Sequence, residues 1–302
     1  MLLRDKLSLV QVFRMTWKLD ITMIIFCTLA YYADTYWLRE HISIPLSITA
    51  VLGTALAFFI GFNNNQAYDR WWEGRKIWGS LVNDSRTWAR DLMAFVGEDD
   101  GVGQGYTLAR RMVFRHLAFV YALKSSLRKD GDTYYQGYLN PDEVEAVAAS
   151  KNAPNAILQL QANDLRTLRE LGAVDGFLFR DLNSRLTAFT DQLGMCERIR
   201  NTIFPPSYLF FTRVFIWFYV MMTTFSLTEN IGGWAVLFGW AVGFVFHVTH
   251  QNGLSIMDPL DTNPMSLPLN SISRTIEINL LEMLGHSPLP SPVEPVGRLY
   301  IL

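Results

Sequence analysis

Four consecutive amide side chains are the first feature of the sequence that suggests a specific chemistry. Asn63, Asn64, Asn65 and Gln66 directly follow Ile44 to Phe62, a stretch of 19 residues without a charge. Because an amide both donates and accepts hydrogen bonds, a group of amides can hold water or a partly dehydrated ion of either sign. An unpaired amide is costly in hydrocarbon, so these side chains need protein partners or water. The alternative is that they only cap a helix at a membrane surface.

A pair of histidines suggests a second chemistry, metal binding. His247 and His250 lie three residues apart, and Asp258 and Asp261 follow them. Two imidazoles and two carboxylates form a ligand set that divalent metals accept, so a membrane enzyme with a metal at these residues is one hypothesis. The sequence contains no phosphate-binding glycine loop, no nucleophile motif and no H-E-x-x-H segment. We therefore predict no enzyme and no cofactor, and keep Asp258 and Asp261 as the remaining metal candidates.

Apolar segments are the elements that must position these residues. There are four: Ile21–Ala33, Ile44–Phe62, Phe204–Leu227 and Ile231–Thr249. A helix of 19 residues is about 28 Å long, close to the thickness of a hydrocarbon core of about 30 Å. Between the second and third segments, apolar residues recur at helical spacing and no alternating strand pattern competes. The predicted fold is an all-α membrane protein with two transmembrane hairpins and a helical region between them.

The distribution of positive charge predicts the topology. Of 26 Lys and Arg residues, 18 lie between Asn63 and Ile203 and four precede the first apolar segment, whereas none separates the third and fourth segments. The positive-inside tendency places both termini and the middle region in the cytoplasm of a multi-pass protein of the plasma (inner) membrane. The formal net charge of −2 gives no basis for a nucleic-acid partner.

The domain organisation follows from the same pattern. We predict five regions in chain order: an amphipathic cytoplasmic segment (residues 1–20), a first hairpin (21–62), a cytoplasmic helical region (63–203), a second hairpin (204–249), and a cytoplasmic end with a last helix and a proline-rich tail (250–302). On the last helix, Glu277 and Glu282 are expected to be solvated.

The second apolar segment carries two stripes of residues spaced four apart. One stripe is aliphatic and comprises Ile44, Ile48 and Leu52. The other has small side chains, which allow another helix to approach closely in lipid: Gly53, Ala57 and Gly61. The helix could line a narrow dry passage with one stripe and pack with the other, or both stripes could pack within a monomeric bundle.

Several motifs resemble the bestrophin family, in particular its compact bacterial members. They are "IPLS" at the start of the second segment, "AYDRWW" after it, the double proline that opens the third, and "DPLDTNPMSLPLNSISRTIEINLLEMLG" near the end. The resemblance covers nearly the whole chain in the same order. It implies a homopentameric ion channel with one axial pore, in which the second membrane helix lines a hydrophobic neck above a cytosolic vestibule. Ile44, Ile48 and Leu52 then correspond to the neck, and the four amides to the mouth of the vestibule.

The resemblance also carries departures and open alternatives. The loop that binds Ca²⁺ in animal bestrophins has neutral Asn263 and Ser266 here, so Ca²⁺ gating is not expected. The bacterial branch favours monovalent cations, and an anion-selective (chloride) channel is the alternative. A lower constriction is expected on the helix "DGFLFRDLNSRL". A membrane scaffold without a pore is the remaining hypothesis.

Overall fold

The computed structural model describes residues 9–38, 40–41, 43–96 and 103–296, with side chains from Thr16 onward. The first eight residues of the predicted amphipathic segment and the last six residues of the predicted tail lie outside these residues. Within them the chain folds into helices without a β-strand. The α-helices are α1 (Leu9–Ala33), α2 (Leu46–Phe95), α3 (Gln104–Arg128), α4 (Pro141–Ala148), α5 (Ala153–Glu170), α6 (Gly176–Asn201), α7 (Pro206–Ile231), α8 (Trp234–Ile256) and α9 (Leu269–Met283). A π-helical turn, Asp34–Leu38, follows α1, and a 3-10 turn, Tyr134–Tyr138, precedes α4.

The helices form two compact units. The hairpin unit contains the described residues up to 70 together with 203–258, and the insert unit contains residues 71–202 and 259 onward. Helix α2 is continuous through both units. Two helices, α2 and α7, are long and apolar enough to cross a membrane by length and composition. Helices α1 and α8 overlap the other two predicted segments but extend beyond them, α1 at its start and α8 at its end, and they do not reach that apolarity over the described residues.

Helix α2 differs from the predicted second segment at both ends. It begins at Leu46 rather than Ile44, because Pro45 precedes it and the Ile48 N–H donates to the Pro45 carbonyl at 3.0 Å. It does not end at the amides but continues to Phe95, over 50 residues. The amides do not interrupt the helix, because the three asparagines bond through their side chains and leave the backbone hydrogen bonds of α2 intact.

Close helix contacts in the hairpin unit depend on glycine. A Cβ on Gly243 of α8 would meet the Met23 sulfur on α1 and lie 2.7 Å from Cγ2 of Val220 on α7. A Cβ on Gly239 would meet the Thr224 hydroxyl and lie 3.2 Å from the Cys27 sulfur. Both glycines are therefore needed for α8 to pack against α1 and α7 at this distance, as small residues do in membrane helix bundles.

The insert unit is built around α3, whose side chains are buried on nearly all sides. Trp88 of α2 packs edge-on against Phe189 of α6, with ring centroids 5.8 Å apart. The buried Arg115 of α3 is neutralised by ion pairs with Asp164 and Glu143. Glu143 also completes a capping box with Asn140 at the start of α4.

Glu277 of α9 corrects the expectation of a solvated acid, since it is 1% exposed. Its carboxylate accepts hydrogen bonds from the hydroxyls of Tyr121, Tyr134 (2.9 Å) and Tyr138, and pairs with Arg274 at 2.9 Å. These partners come from α3, the 3-10 turn and α9 itself. The carboxylate is thus a junction of three elements, which helical periodicity alone could not indicate.

Candidate functional site

Helix α2 has one face that packs against its own chain in the hairpin unit. The buried residues recur at three- and four-residue spacing: Thr49, Gly53, Leu56, Ile60, Asn63 and Ala67. Leu56 and Ile60 belong to the apolar core with Met23, Ile216 and Val220. Because this face is fixed by contacts with α1 and α7, the opposite face of α2 points away from the rest of the unit.

The opposite face of α2 is apolar at first and then polar. Phe58 is 72% exposed and Phe62 50% exposed. Asn65 and Asp69 follow on the same face, three and seven residues after Phe62, and both are exposed. The described residues of the chain leave at least half of each side chain uncovered, and such an apolar face indicates contact with lipid, another chain or a narrow passage.

The structure brings the predicted neck residues only partly together. Ile44 precedes α2, so the prediction that it shares a helical stripe with the other two is wrong: Pro45 starts the helix after it. Ile48 is 51% exposed, and Leu52, one turn later, is half-buried. The latter two therefore lie beside the exposed face. Phe58 and Phe62 are apolar residues of that face, and the sequence analysis did not assign them to the neck. Their separation by four residues, one helical turn, directly before the amides could have indicated them.

The predicted small-residue stripe is divided between two environments. Gly53 is buried, and a Cβ there would meet the Tyr219 hydroxyl of α7 and lie 2.8 Å from its ring carbon Cζ. Ala57 and Gly61 are exposed, and a Cβ on Gly61 would meet no atom within 4 Å. Of the three stripe residues, Gly53 alone makes a close helix contact with the described part of the chain, so a packing role for Ala57 and Gly61 is not seen there.

The four amides also separate into two pairs. Asn63 is buried and donates to the Thr212 hydroxyl at 3.1 Å, and Asn64 donates to the Thr249 carbonyl at 2.9 Å. These two bonds connect α2 to α7 and α8. Asn65 and Gln66 are exposed, and Asn65 donates to the Asp69 carboxylate at 3.4 Å. The second pair is thus the more accessible to water or an ion.

The metal hypothesis gains no support from the geometry. His250 is buried and His247 half-buried on α8. Among the described residues, no group of three or more His, Cys, Asp or Glu side chains is placed to hold a metal ion. Asp261 lies close enough to Arg128 to interact with it electrostatically. The arrangement of His247, His250, Asp258 and Asp261 is thus not a ligand cluster.

Charge along α2 changes abruptly after the amides. No Asp, Glu, Lys, Arg or His lies between Ile44 and Tyr68, and Asp69 is the first charged residue. Because about 25 residues carry no charge, the movement of an ion along this part of α2 would be controlled by the width and hydration of the passage and by the first charge beyond it. The sequence reasoning quoted Asp69 but gave it no role.

The chain matches known proteins over most of its length. Residues 10–282 match the family model of bacterial and fungal bestrophin proteins. A relative from Salmonella typhi, named voltage-dependent anion channel-forming protein YneE, is 30% identical over 258 residues, 85% of this chain and 83% of that protein. A relative of the same general name from Ralstonia nicotianae is 29% identical over 92% of this chain and 90% of its own. The crystal structure of a bacterial bestrophin homologue from Klebsiella pneumoniae superposes with a TM-score of 0.81 at 27% identity, covering 89% of this chain and 98% of that one.

Proposed function

The chain belongs to the bacterial and fungal bestrophin family, which makes it a membrane ion channel protein, and we propose that five copies surround one axial pore for monovalent ions. The observation that carries this proposal is the face of α2 opposite its packed side, which is bare, apolar and uncharged as far as Phe62 and polar beyond it. Such a face suits a passage that is dry at one end and wet at the other.

The neck of this pore is proposed to include Ile44, Ile48 and Leu52, as the resemblance implies. The exposure of Phe58 and Phe62 supports extending the apolar lining toward the amides. Asn65 and Gln66 then form the mouth of the vestibule, while Asn63 and Asn64 hold α2 against α7 and α8. An apolar constriction controls conduction by excluding water, so its side-chain volume determines the barrier.

The preferred ion has two candidates. As the resemblance to the bacterial branch implies, we propose a preference for monovalent cations. The curated relatives carry the name of anion channels, which favours the alternative of an anion-selective pore. For topology, we propose a multi-pass inner-membrane protein with both termini in the cytoplasm, since 18 of the 26 Lys and Arg residues lie between positions 63 and 203.

Current through the purified protein in a planar lipid bilayer under a KCl gradient tests the proposal. We expect discrete openings, and replacing Ile48 and Leu52 together by Ala, or Phe58 by Ala, should raise the current because a wider apolar ring is easier to wet. Val245→Ala, on the exposed side of α8, is the matched control and should change nothing.

The outcomes separate the hypotheses. A bilayer that stays silent although the protein is demonstrably inserted would contradict the channel and favour the scaffold. Openings that none of the neck substitutions alters would retain the channel and reject this face of α2 as its neck.

A further inference from the structure

We infer that Asp69 sets the charge preference of the channel, by placing a ring of carboxylates, one from each subunit, where the apolar passage ends. The inference rests on the proposed function and assigns a specificity-determining residue to it. Within the described part of the chain, the Asp69 side chain makes a hydrogen bond with Asn65.

The position of Asp69 on α2 is the first argument. It lies seven residues after Phe62 and four after Asn65, and seven residues are close to two helical turns, so the three side chains share one face about 10 Å long. This is the face opposite Gly53, Ile60, Asn63 and Ala67, which are buried within the chain. If Phe62 lines the passage, Asp69 lies directly beyond it along the same wall.

The second argument is that the charge of Asp69 is not compensated. Its carboxylate is exposed, accepts only the long hydrogen bond from Asn65, and has no Lys or Arg partner within the part of the chain that the structure describes. The next two acids of α2 differ in this respect. Glu73 pairs with Arg198 at 2.5 Å, and Asp84 pairs with Arg185 at 3.3 Å and accepts from Gln192.

The third argument is electrostatic. Neither aliphatic nor aromatic side chains carry a net charge, so the first uncompensated charge beyond them strongly influences which ions accumulate at the entrance of the apolar passage. The next Lys of α2, Lys76, follows seven residues later in the chain. A cation leaving the apolar stretch therefore meets the carboxylates before it meets this positive charge.

The consequence does not depend on the overall sign of the selectivity. Whether the wild-type pore favours cations or anions, neutralising Asp69 removes a local attraction for cations and a local repulsion of anions. The permeability ratio of K⁺ to Cl⁻ must then fall.

The test is the reversal potential in planar bilayers under a KCl gradient, for wild type, Asp69→Asn, Asp69→Glu and the control Glu170→Gln. Glu170 is an exposed acid on α5, paired at 3.7 Å with Arg166. We expect Asp69→Asn to lower the K⁺/Cl⁻ permeability ratio about threefold or more, while Asp69→Glu and Glu170→Gln keep it within about 1.5-fold of wild type. Size-exclusion elution equal to wild type shows that each variant is assembled.

Three results would overturn the inference. Currents with an unchanged permeability ratio in Asp69→Asn would show that this carboxylate does not act on the ion, and the channel would stand without it. An equal shift in Glu170→Gln would reduce the effect to general surface charge. A silent wild type, with insertion verified, would remove the channel and this inference together.

Discussion

His116 is an uncharged imidazole held at the centre of the insert unit. It is fully buried on α3, its Nε2 lies 2.8 Å from the Ser85 hydroxyl of α2, and its ring centroid is 4.3 Å from that of Phe189 on α6. Burial lowers the pKa of this imidazole from 6.5 to about 3, because a charged ring would lose its hydration there. The side chain therefore contributes as a neutral hydrogen-bonding ring of the core.

This burial predicts that the protein loses stability in acid. Above pH 6.5 the imidazole is neutral in both the folded and the unfolded state. Between pH 6.5 and about 3 only the unfolded chain binds the proton, so the free energy of unfolding falls by about 1.4 kcal/mol for each unit by which the pH is lowered. His116→Gln, which keeps a partner for Ser85, should flatten the decrease of the thermal midpoint between pH 7 and pH 5. His41→Gln, at an exposed position, is the control. An undiminished pH dependence in His116→Gln would assign the acid sensitivity to other groups.

At the level of elements, the helices of the hairpin unit are held at a spacing that admits no extra methyl group at certain positions. Gly243 shows this most clearly, since Met23 of α1 and Val220 of α7 both occupy the space of a Cβ. The sulfur of Met23 can move, but the branched Val220 has little freedom inside a helix. Strain at this position thus cannot be relieved by one side chain alone.

Gly243→Ala should accordingly destabilise the protein by about 1–3 kcal/mol, the usual cost of overpacking. Gly233→Ala at the start of α8 is the matched control, because φ there is −59° and a Cβ would meet nothing within 4 Å. Thermal unfolding of the two variants in the same detergent is the measurement. Equal thermal midpoints for Gly243→Ala and Gly233→Ala would mean that the helices around Gly243 can move apart to accommodate a methyl group at no cost in stability.

The comparison of sequence and structure is most instructive for α2. Apolar periodicity predicted helices at four hydrophobic segments, and α1, α2, α7 and α8 overlap these segments. Periodicity could not show that α2 continues for 50 residues, because amides look like a terminus when their partners, Thr212 and Thr249, are far away in sequence. Periodicity also placed Ile44 inside the helix, although this residue precedes α2.

At the level of the whole molecule, the apolar surface of the hairpin unit is larger than a soluble chain tolerates. Large exposed side chains occur on each of its helices, including Leu29 on α1, Phe58 on α2, Phe210 on α7 and Val245 on α8. Lipid can cover some of these faces, and copies of the chain can cover others. Family membership and this surface together lead us to expect a closed ring rather than a monomer.

Native mass spectrometry of the detergent-purified protein tests the number of subunits. We expect a single species at five times the chain mass of 34.6 kDa, and the bare chain mass after denaturation in SDS. A monomer would favour the scaffold over the channel. Another closed ring would keep the channel and change only its subunit count.

The two close contacts of α2 in the hairpin unit also limit how this chain can vary in length. Gly53 faces Tyr219, and Asn64 packs against Gly253, whose Cβ would lie 3.4 Å from the Asn64 Cα. The two positions are eleven residues apart, about three whole turns, so both contacts use one side of the helix. A single inserted or deleted codon between them would rotate one contact by about 100° relative to the other. Natural variants should therefore keep the length of this stretch fixed, and gain or lose residues in the connections between helices instead.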